Sequence, residues 1–584
     1  MKKKAQTVQL YTLEGERMLS ASEEYVPWEV YPRPHLRRNS FLCLNGTWEF
    51  CTVGCDEQPN YDGTITVPFV PESILSGIGK TIPKGNRLCY RRRFTVPADF
   101  QLRDRILLHV GAADQIAEVY CNGRRLGEHR DGYGEIVFEL TDVWQKENCL
   151  EIFVWDELEK AVLPYGKQRE NRGGMWYTPI SGIWQSVWVE SVPTDYIQEI
   201  SVTVDDRSAT LRVTCKGAAE GSVILHDCKG DVEIPLRDGE ARIEPTDPIL
   251  WSPQNPYLYQ ITVKVGEDCV DSYFALRTLT TETIDGVARL CLNHEPYFFH
   301  GLLDQGYFPD GIFLPASPEG YTRDILAAKK FGFNMLRKHI KIEPEVFYYE
   351  CDRLGMVVVQ DMVNNGRYSF LRDTALPTVG RKRLDDRRMH RDPETRQAFL
   401  EGMEETVRRL SFHPSVCAWT IFNEGWGQFD HAAAYTRLRE LDCTRWIDSV
   451  SGWFTPKRQS DLKSDVDSHH VYFKPVKLKR GDRPLVLSEF GGYSCKIEGH
   501  VFNLTQNYGY RSFASLDAFA DALEKLYDEE ILPAVREGLC AAVYTQLTDV
   551  EDETNGLLTY DRRVEKVDAE RMVKIAERLH NAIK

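Results

Sequence analysis

Two glutamates stand in settings that suit proton transfer and nucleophilic attack. Glu424 follows Asn423 in the stretch WTIFNEGWG, Trp419 to Gly427, and Glu489 lies near the end of RPLVLSEFGGY. Each ends an apolar run and is followed within two residues by glycine, as expected where a buried strand delivers a polar group at its carboxyl end. Taken singly, either glutamate reads as a solvated or ion-paired strand-end acid. Taken together they read as the pair that cleaves a glycosidic bond: one carboxyl group protonates the leaving oxygen and the other, ionised, attacks the anomeric carbon. That division requires two environments that push the pKa values apart.

The elements that must hold such a pair follow from the texture of the chain. With 584 residues it exceeds the size at which one core stops growing, so several domains are expected. Residues 1–194 alternate apolar and polar in short runs between turn signals, among them TITVPF, RILLHVG and IWQSVWVE, which predicts an N-terminal β-sandwich of jelly-roll, sugar-binding-like type. Asn122-Gly123 is a two-residue hairpin signal inside it. Residues 195–281 carry six or seven further short strands and predict an immunoglobulin-like β-sandwich. From residue 282 to 584 strand and helix patterns alternate, with strands expected at Tyr297–Gly301, Phe333–Arg337, Met356–Asp361, Val416–Phe422, Trp446–Ser451, Ser468–Tyr472, Leu485–Phe490 and Ala541–Gln546. Helices are expected at Glu319–Phe331, Pro344–Leu354, Pro393–Ser411 and Leu516–Glu537. Eight such units predict a (β/α)8 TIM barrel, whose active site lies at the carboxyl ends of the strands. The link between the sixth and seventh strands is too short for a full helix, so one degenerate unit is expected.

Composition narrows the partners. A net charge of −16 argues against nucleic acid or an anionic membrane surface, and a carbohydrate or glycoside fits better. No secretory leader and no run long enough to span a membrane is apparent. The 15 cysteines are scattered without zinc-site spacing, and Cys51 and Cys55 have no second pair, so reduced thiols in a cytoplasmic protein are expected, with no metal and no cofactor. Self-association stays open.

At this point the chain resembles glycoside hydrolase family 2, the family of β-galactosidases, β-glucuronidases and β-mannosidases. HPSVCAWTIFNEGWG is similar to its acid/base signature, VLSEFGGY to its nucleophile motif, and FGFNMLRKHIKIEPEVFYYECDRLGMVVVQD to its second and third barrel strands. SGIWQSVWVE and VYCNGRRLGEHRDGYGEIVFELTD resemble parts of its N-terminal sandwich. The resemblance implies that Glu424 is the acid/base and Glu489 the nucleophile of a mechanism that retains anomeric configuration. It implies that Asn423 donates to the sugar 2-hydroxyl, that Arg337 orients and ionises the nucleophile, and that Tyr472 hydrogen-bonds Glu489. Arg337 reads equally as an ion-pair partner of Asp361. His470, from the segment HHVYF, is a sugar contact or a structural histidine, with His469 facing away. Trp426 and Trp453 are candidates for stacking on a sugar ring or for packing the rim.

Two places depart from the family pattern. After the first strand the chain reads FHGLLDQGYFPDG, leaving Asp304 and Gln305 to bind hydroxyls or cap the loop. The eighth strand reads AAVYTQLTDVEDETNG, with Tyr544, Gln546 and Asp549 where the family usually places a tryptophan. The Asn-x-Lys string of β-glucuronidases is missing from the catalytic third, where Asn555 is followed by Gly556-Leu557. The long segment 362–392 is arginine-rich (Arg367, Arg372, Arg381, Lys382, Arg383, Arg387, Arg388, Arg391), and most of these are expected to be solvated. The expectation is a retaining exo-β-glycosidase of β-galactosidase type. A β-glucuronidase with a different carboxylate grip is the alternative, and a non-catalytic carbohydrate-binding protein is the alternative of another class.

Overall fold

The computed structural model describes the chain apart from residues 1–5, 22–24, 55–56, 84, 218–219, 379, 381–382, 384, 457–458 and 584. Cys55, Arg381 and Lys382 therefore lie outside the described residues. The first layer pair is a sandwich. Its four-stranded sheet runs in the order Phe41–Cys43, Val187–Val192, Arg105–Val110, Ile136–Glu139. Its six-stranded sheet runs in the order Gly63–Val67, Gly46–Gly54, Asn86–Thr95, Glu147–Trp155, Ile116–Cys121, Arg124–Arg130. Trp48, Tyr90, Leu108, Val119 and Ile152 lie in the core between them, from alternate positions of their strands. Asn122 and Gly123 both adopt positive φ, 50° and 78°, the backbone that a two-residue turn between twisted antiparallel strands demands.

The second sandwich packs a three-stranded sheet (Tyr196–Val204, Ala209–Lys216, Glu240–Ile243) on a four-stranded one (Gly230–Leu236, Gly221–Asp227, Tyr259–Val265, Asp268–Phe274). These seven strands bury Leu211, Val223, Ile261 and Val263. A hairpin, Leu279–Ile284 and Val287–Leu292, then leads into the barrel. Leu290 and Leu292 pack with Phe299, Met335, Val357, Cys417 and Trp446, near the amino ends of the barrel strands, and close its floor.

The barrel comprises β1 (Phe299–Asp304), β2 (Met335–Lys338), β3 (Val357–Asp361), β4 (Val416–Asn423), β5 (Trp446–Ser451), β6 (Asp467–Val471), β7 (Leu485–Gly491) and β8 (Leu539–Thr545). All pairs are parallel, in the order β5-β4-β3-β2-β1-β8-β7-β6. β1 starts two residues later than the sequence pattern suggests, because Glu295–Pro296 is claimed by the hairpin floor. Helices follow β1 (Glu319–Lys330), β2 (Glu345–Leu354), β3 (Pro393–Leu410), β4 (His431–Leu441), β7 (Leu516–Leu526, continuing to Arg536) and β8 (Ala569–Ile583). Among the described residues no helix follows β5 or β6, so two adjacent units are degenerate where one was expected. The β5–β6 link, GWFTPKRQSDLKSDV, has no apolar period to drive a helix, and among its described residues holds only a short 3-10 turn at Gln459–Asp461. β5 and β6 form no backbone ladder, and hydroxyl groups bridge the seam: Ser451 Oγ lies 3.4 Å from Ser468 Oγ and 3.0 Å from Ser488 Oγ. No helix among the described residues is long and apolar enough to cross a membrane.

The two sandwiches are locked by a buried ion cluster. Arg38 donates from Nε and Nη2 to Asp268 at 3.0 and 2.8 Å and from Nη1 to Glu190 at 3.0 Å. Glu190 belongs to the first sandwich and Asp268 to the second. Removing the cation leaves Asp268 buried without its counter-charge, so Arg38→Met is expected to cost about 3–5 kcal/mol. Denaturant unfolding checks this; a midpoint equal to that of the parent chain would contradict it.

Candidate active site

β4 delivers Glu424 through an unusual backbone. Glu424 and Gly425 both lie in the left-handed region, at φ 49° and 76°. A Cβ on residue 425 would stand 1.8 Å from a ring carbon of Phe454, so only glycine fits there. The Glu424 N–H donates to the Ser451 carbonyl at the end of β5 (3.0 Å), which pins the strained residue to the neighbouring strand. Its carboxylate Oε1 is 2.8 Å from His470 Nδ1. Glu489, on β7, accepts from Arg337 Nη1 at 3.2 Å and from the Tyr472 hydroxyl at 2.5 Å. One oxygen of Glu424 and one of Glu489 lie within 4.8 Å of each other, with the His470 ring between them. His470 Nε2 is 3.0 Å from Ser451 Oγ and 3.5 Å from Glu489 Oε1.

Arg337 ends β2 and ties four strands together. It donates from Nε to Asp361 (3.0 Å), from Nη1 to the Ser488 carbonyl (3.0 Å) and to Glu489, and from Nη2 to Asn423 Oδ1 (2.8 Å). It is 1 % exposed. Burial alone would lower its pKa, yet the Asp361 and Glu489 carboxylates hold it above the ordinary value, so it is a fixed positive charge. Arg337 thus pairs with Asp361 and contacts Glu489 at once. Because Asn423 Oδ1 accepts from Arg337, its amide nitrogen is oriented and left without a partner among the described residues.

Several neighbours are not evident from sequence reasoning. His339, two residues beyond Arg337, shares Asp361 with it (Nδ1 to Oδ2, 2.7 Å); burial pushes this imidazole down to about 3, leaving it neutral with Nε2 as acceptor. The i, i+2 spacing at the end of β2 was the available signal. Lys167 comes from the first sandwich. Its ammonium lies 5.2 Å from the Trp426 ring centre and 5.6 Å from that of Tyr177, with no hydrogen bond or ion pair among the described residues. Asn364, just past β3, is buried with neither side-chain atom hydrogen-bonded. Glu553, from the loop after β8, is held by Gln546 Nε2 at 2.8 Å. Burial pushes Glu553 up to about 7, against the pull of Lys167. Tyr510 stacks on Tyr472 at 3.7 Å. Nothing in local pattern marks Lys167, Asn364 or Glu553, because packing between domains and loops brings them in.

Other expected residues stand elsewhere. The structure does not bring Asp304 into this set: it pairs with Lys338 at 2.7 Å and accepts from the Gly306 N–H. Trp426 is 3 % exposed and packs on Trp176 (5.2 Å), so its face is largely covered. Trp453 is half-buried after β5, its N–H bonded to the Ser451 carbonyl. Gln305 donates to Gln546, which in turn donates to Glu553, while Asp549 pairs with Lys566 and the Tyr544 hydroxyl reaches the Tyr493 carbonyl. His469 pairs with Asp467. In the arginine-rich segment, Arg372 pairs with Asp373 while Arg387 and Arg388 pair with Asp385.

Known proteins share this architecture. Residues 290–573 match the description "Glycosyl hydrolases family 2, TIM barrel domain", residues 186–277 match "Glycosyl hydrolases family 2", and residues 81–179 match "Glycosyl hydrolase 2 galactose-binding domain-like". A β-galactosidase of Aeromonas hydrophila is 26% identical over 459 residues, covering 70% of this chain and 42% of that protein. A β-glucuronidase of Bacteroides fragilis is 23% identical, covering 59% of this chain and 52% of that protein. The chain thus spans about half the length of these curated relatives. The solved structure of a β-D-glucuronidase from Dictyoglomus thermophilum superposes with TM-score 0.70 at 21% identity, over 94% of this chain and 98% of that one, which is a likeness of fold.

The raised pKa of Glu553 has a consequence for stability. Its folded value, about 7, exceeds the ordinary 4.5, so between these pH values the native state binds more protons than the unfolded chain. Stability from this group is therefore present below about pH 4.5 and lost as pH rises through 7, by on the order of 3 kcal/mol. Glu553→Gln is expected to flatten that part of the dependence of Tm on pH; an unchanged slope would contradict the assignment.

Proposed function

The chain belongs to glycosyl hydrolase family 2, and from that premise we propose that it is a retaining exo-β-glycosidase acting on terminal, non-reducing β-linked sugars. The observation that carries the reading is the approach of Glu424 and Glu489, an oxygen of each within 4.8 Å of the other. Retaining enzymes hold their carboxyl groups about 5–5.5 Å apart, whereas inverting enzymes need about 6.5–9.5 Å to admit a water. Glu489, held by Arg337 and Tyr472, attacks the anomeric carbon while Glu424 gives its proton to the departing oxygen. Glu424 then takes a proton from water, which attacks the glycosyl–Glu489 ester from the face the leaving group vacated. Two inversions leave the configuration unchanged. Asn423 Nδ2, unpaired and aimed by Arg337, is suited to the sugar 2-hydroxyl. A non-catalytic sugar-binding role is disfavoured, since it gives no reason to bring two glutamate side chains this close in one hydrogen-bonded arrangement.

For the sugar, the first reading is a β-galactoside, in line with the similarity to the Aeromonas hydrophila β-galactosidase. A second reading has its own observation. The unpaired Lys167 ammonium is 6 % exposed beside Trp426 and suits the carboxylate of a β-uronide, in the absence of the Asn-x-Lys string. A panel of aryl β-galactoside, β-glucuronide, β-galacturonide, β-mannoside and β-glucoside separates them. A β-galactoside preference unaffected by Lys167→Met carries the first reading; a uronide preference that Lys167→Met removes carries the second. Glu424→Ala is expected to slow a substrate with a poor leaving group by about 10²–10⁴-fold, and one with an activated phenol leaving group far less in its first step. Equal effects on both would contradict the acid role.

A further inference from the structure

A second convergent cluster lies outside the barrel mouth, where the N-terminal segment meets the immunoglobulin-like sandwich and the barrel. His35, Glu345 and His413 each offer a ligand atom within 4.8 Å of the other two. His35 sits on the turn Pro34–Leu36, Glu345 opens the helix after β2, and His413 precedes β4. His413 is fully buried, and its Nδ1 lies 2.7 Å from Asp352 Oδ2, which also accepts from the Tyr273 hydroxyl at 2.7 Å. A carboxylate on Nδ1 fixes the proton there and turns the other nitrogen into a ligand, the arrangement found behind metal-bound histidines. His413 Nε2 has no hydrogen-bond partner among the described residues. Glu345 is 5 % exposed, and its Oε2 faces His35 Nδ1 at 3.0 Å without hydrogen-bond geometry at either atom. Folded interiors seldom leave such atoms unsatisfied.

We propose that His35, Glu345 and His413 bind a divalent transition-metal ion, zinc in the first instance, as a clamp between the N-terminal segment and the barrel. Two imidazoles and one carboxylate suit borderline-soft zinc better than magnesium or calcium, which favour all-oxygen sets. Three protein ligands leave a fourth position for water. Arg409 Nε, 3.6 Å from Glu345 Oε1, neutralises part of the local charge, but Glu345 and Asp352 together leave one net negative charge beneath the ion. Ligation at about 2.0–2.2 Å requires the three groups to draw closer than they stand. His35, whose side chain is the most exposed of the three at 12%, is the one free to swing.

The test uses the full chain, stripped with chelator, incubated with zinc sulfate and desalted, with bound zinc measured by mass spectrometry and Tm measured with and without zinc. The wild type is expected to retain about one zinc more per chain than His35→Gln or Glu345→Gln, and to show a rise of a few degrees in Tm that both variants lose. Zinc held elsewhere appears equally in all three proteins. Equal retention in wild type and variants, or none in the wild type at micromolar free zinc, overturns the proposal and leaves the cluster an ion pair only. His35→Gln removes the least buried ligand, so a folded variant is available even if changes at His413 unfold the chain.

Discussion

The site depends on one buried cation. Arg337 is inaccessible to solvent and satisfied by groups from β3, β4 and β7 (Asp361, Asn423, Glu489 and the Ser488 carbonyl). A guanidinium presents its donors in a planar fork, so these partners are fixed in mutual orientation as well as in charge. Moving either carboxylate would strand a charge in the interior, where an uncompensated ion costs several kcal/mol, and moving Asn423 or the Ser488 carbonyl would leave a buried donor unsatisfied. The same contacts that keep the cation buried therefore hold Glu489 in place and orient the Asn423 amide. Stability and positioning are one constraint here.

The barrel alone does not complete the site. The segment of the first sandwich after Glu147–Trp155 crosses to the barrel, where the Tyr165 N–H donates to the Asn364 carbonyl and its hydroxyl to the Gly366 carbonyl. Trp176 packs on Trp426, and Arg172 pairs with Glu551 and Asp552 in the loop after β8. That anchoring brings Lys167 beside Trp426. On the far side, the absence of a β5–β6 ladder among the described residues is offset by the Ser451–Ser468–Ser488 hydroxyls and by His470, which reaches from β6 to Glu424 on β4. The opening in the helical ring thus falls where side-chain chemistry, rather than backbone pairing, joins the strands.

How much was legible in the sequence follows from where information is local. The eight strands, the hairpin at Asn122-Gly123 and the placement of Glu424 and Glu489 at strand ends were readable, because hydrophobic period and turn chemistry act over a few residues. The glycine after Glu424 was visible too, though not its reason: the Phe454 ring occupies the space a side chain would need. Lys167 and Glu553 were invisible because each is brought in by packing between distant segments. Asp304 looked like a hydroxyl binder from its strand-end position, but Lys338 on the neighbouring strand pairs with it, a contact set by barrel register. The absence of an α-helix among the described residues after β5 was not foreseen, because the link is long enough for one and lacks only the apolar stripe that would dock it.

The proposal turns on whether Glu489, held by Arg337 and Tyr472, forms a covalent bond to the sugar. Incubation with a 2-deoxy-2-fluoro glycoside bearing a good leaving group slows breakdown of that ester, and mass spectrometry of the digested chain then locates it. The account predicts one fluoroglycosyl unit on the peptide that contains Glu489. Label on another residue, or turnover without any covalent adduct and with inverted anomeric configuration in the first-formed product, would contradict it.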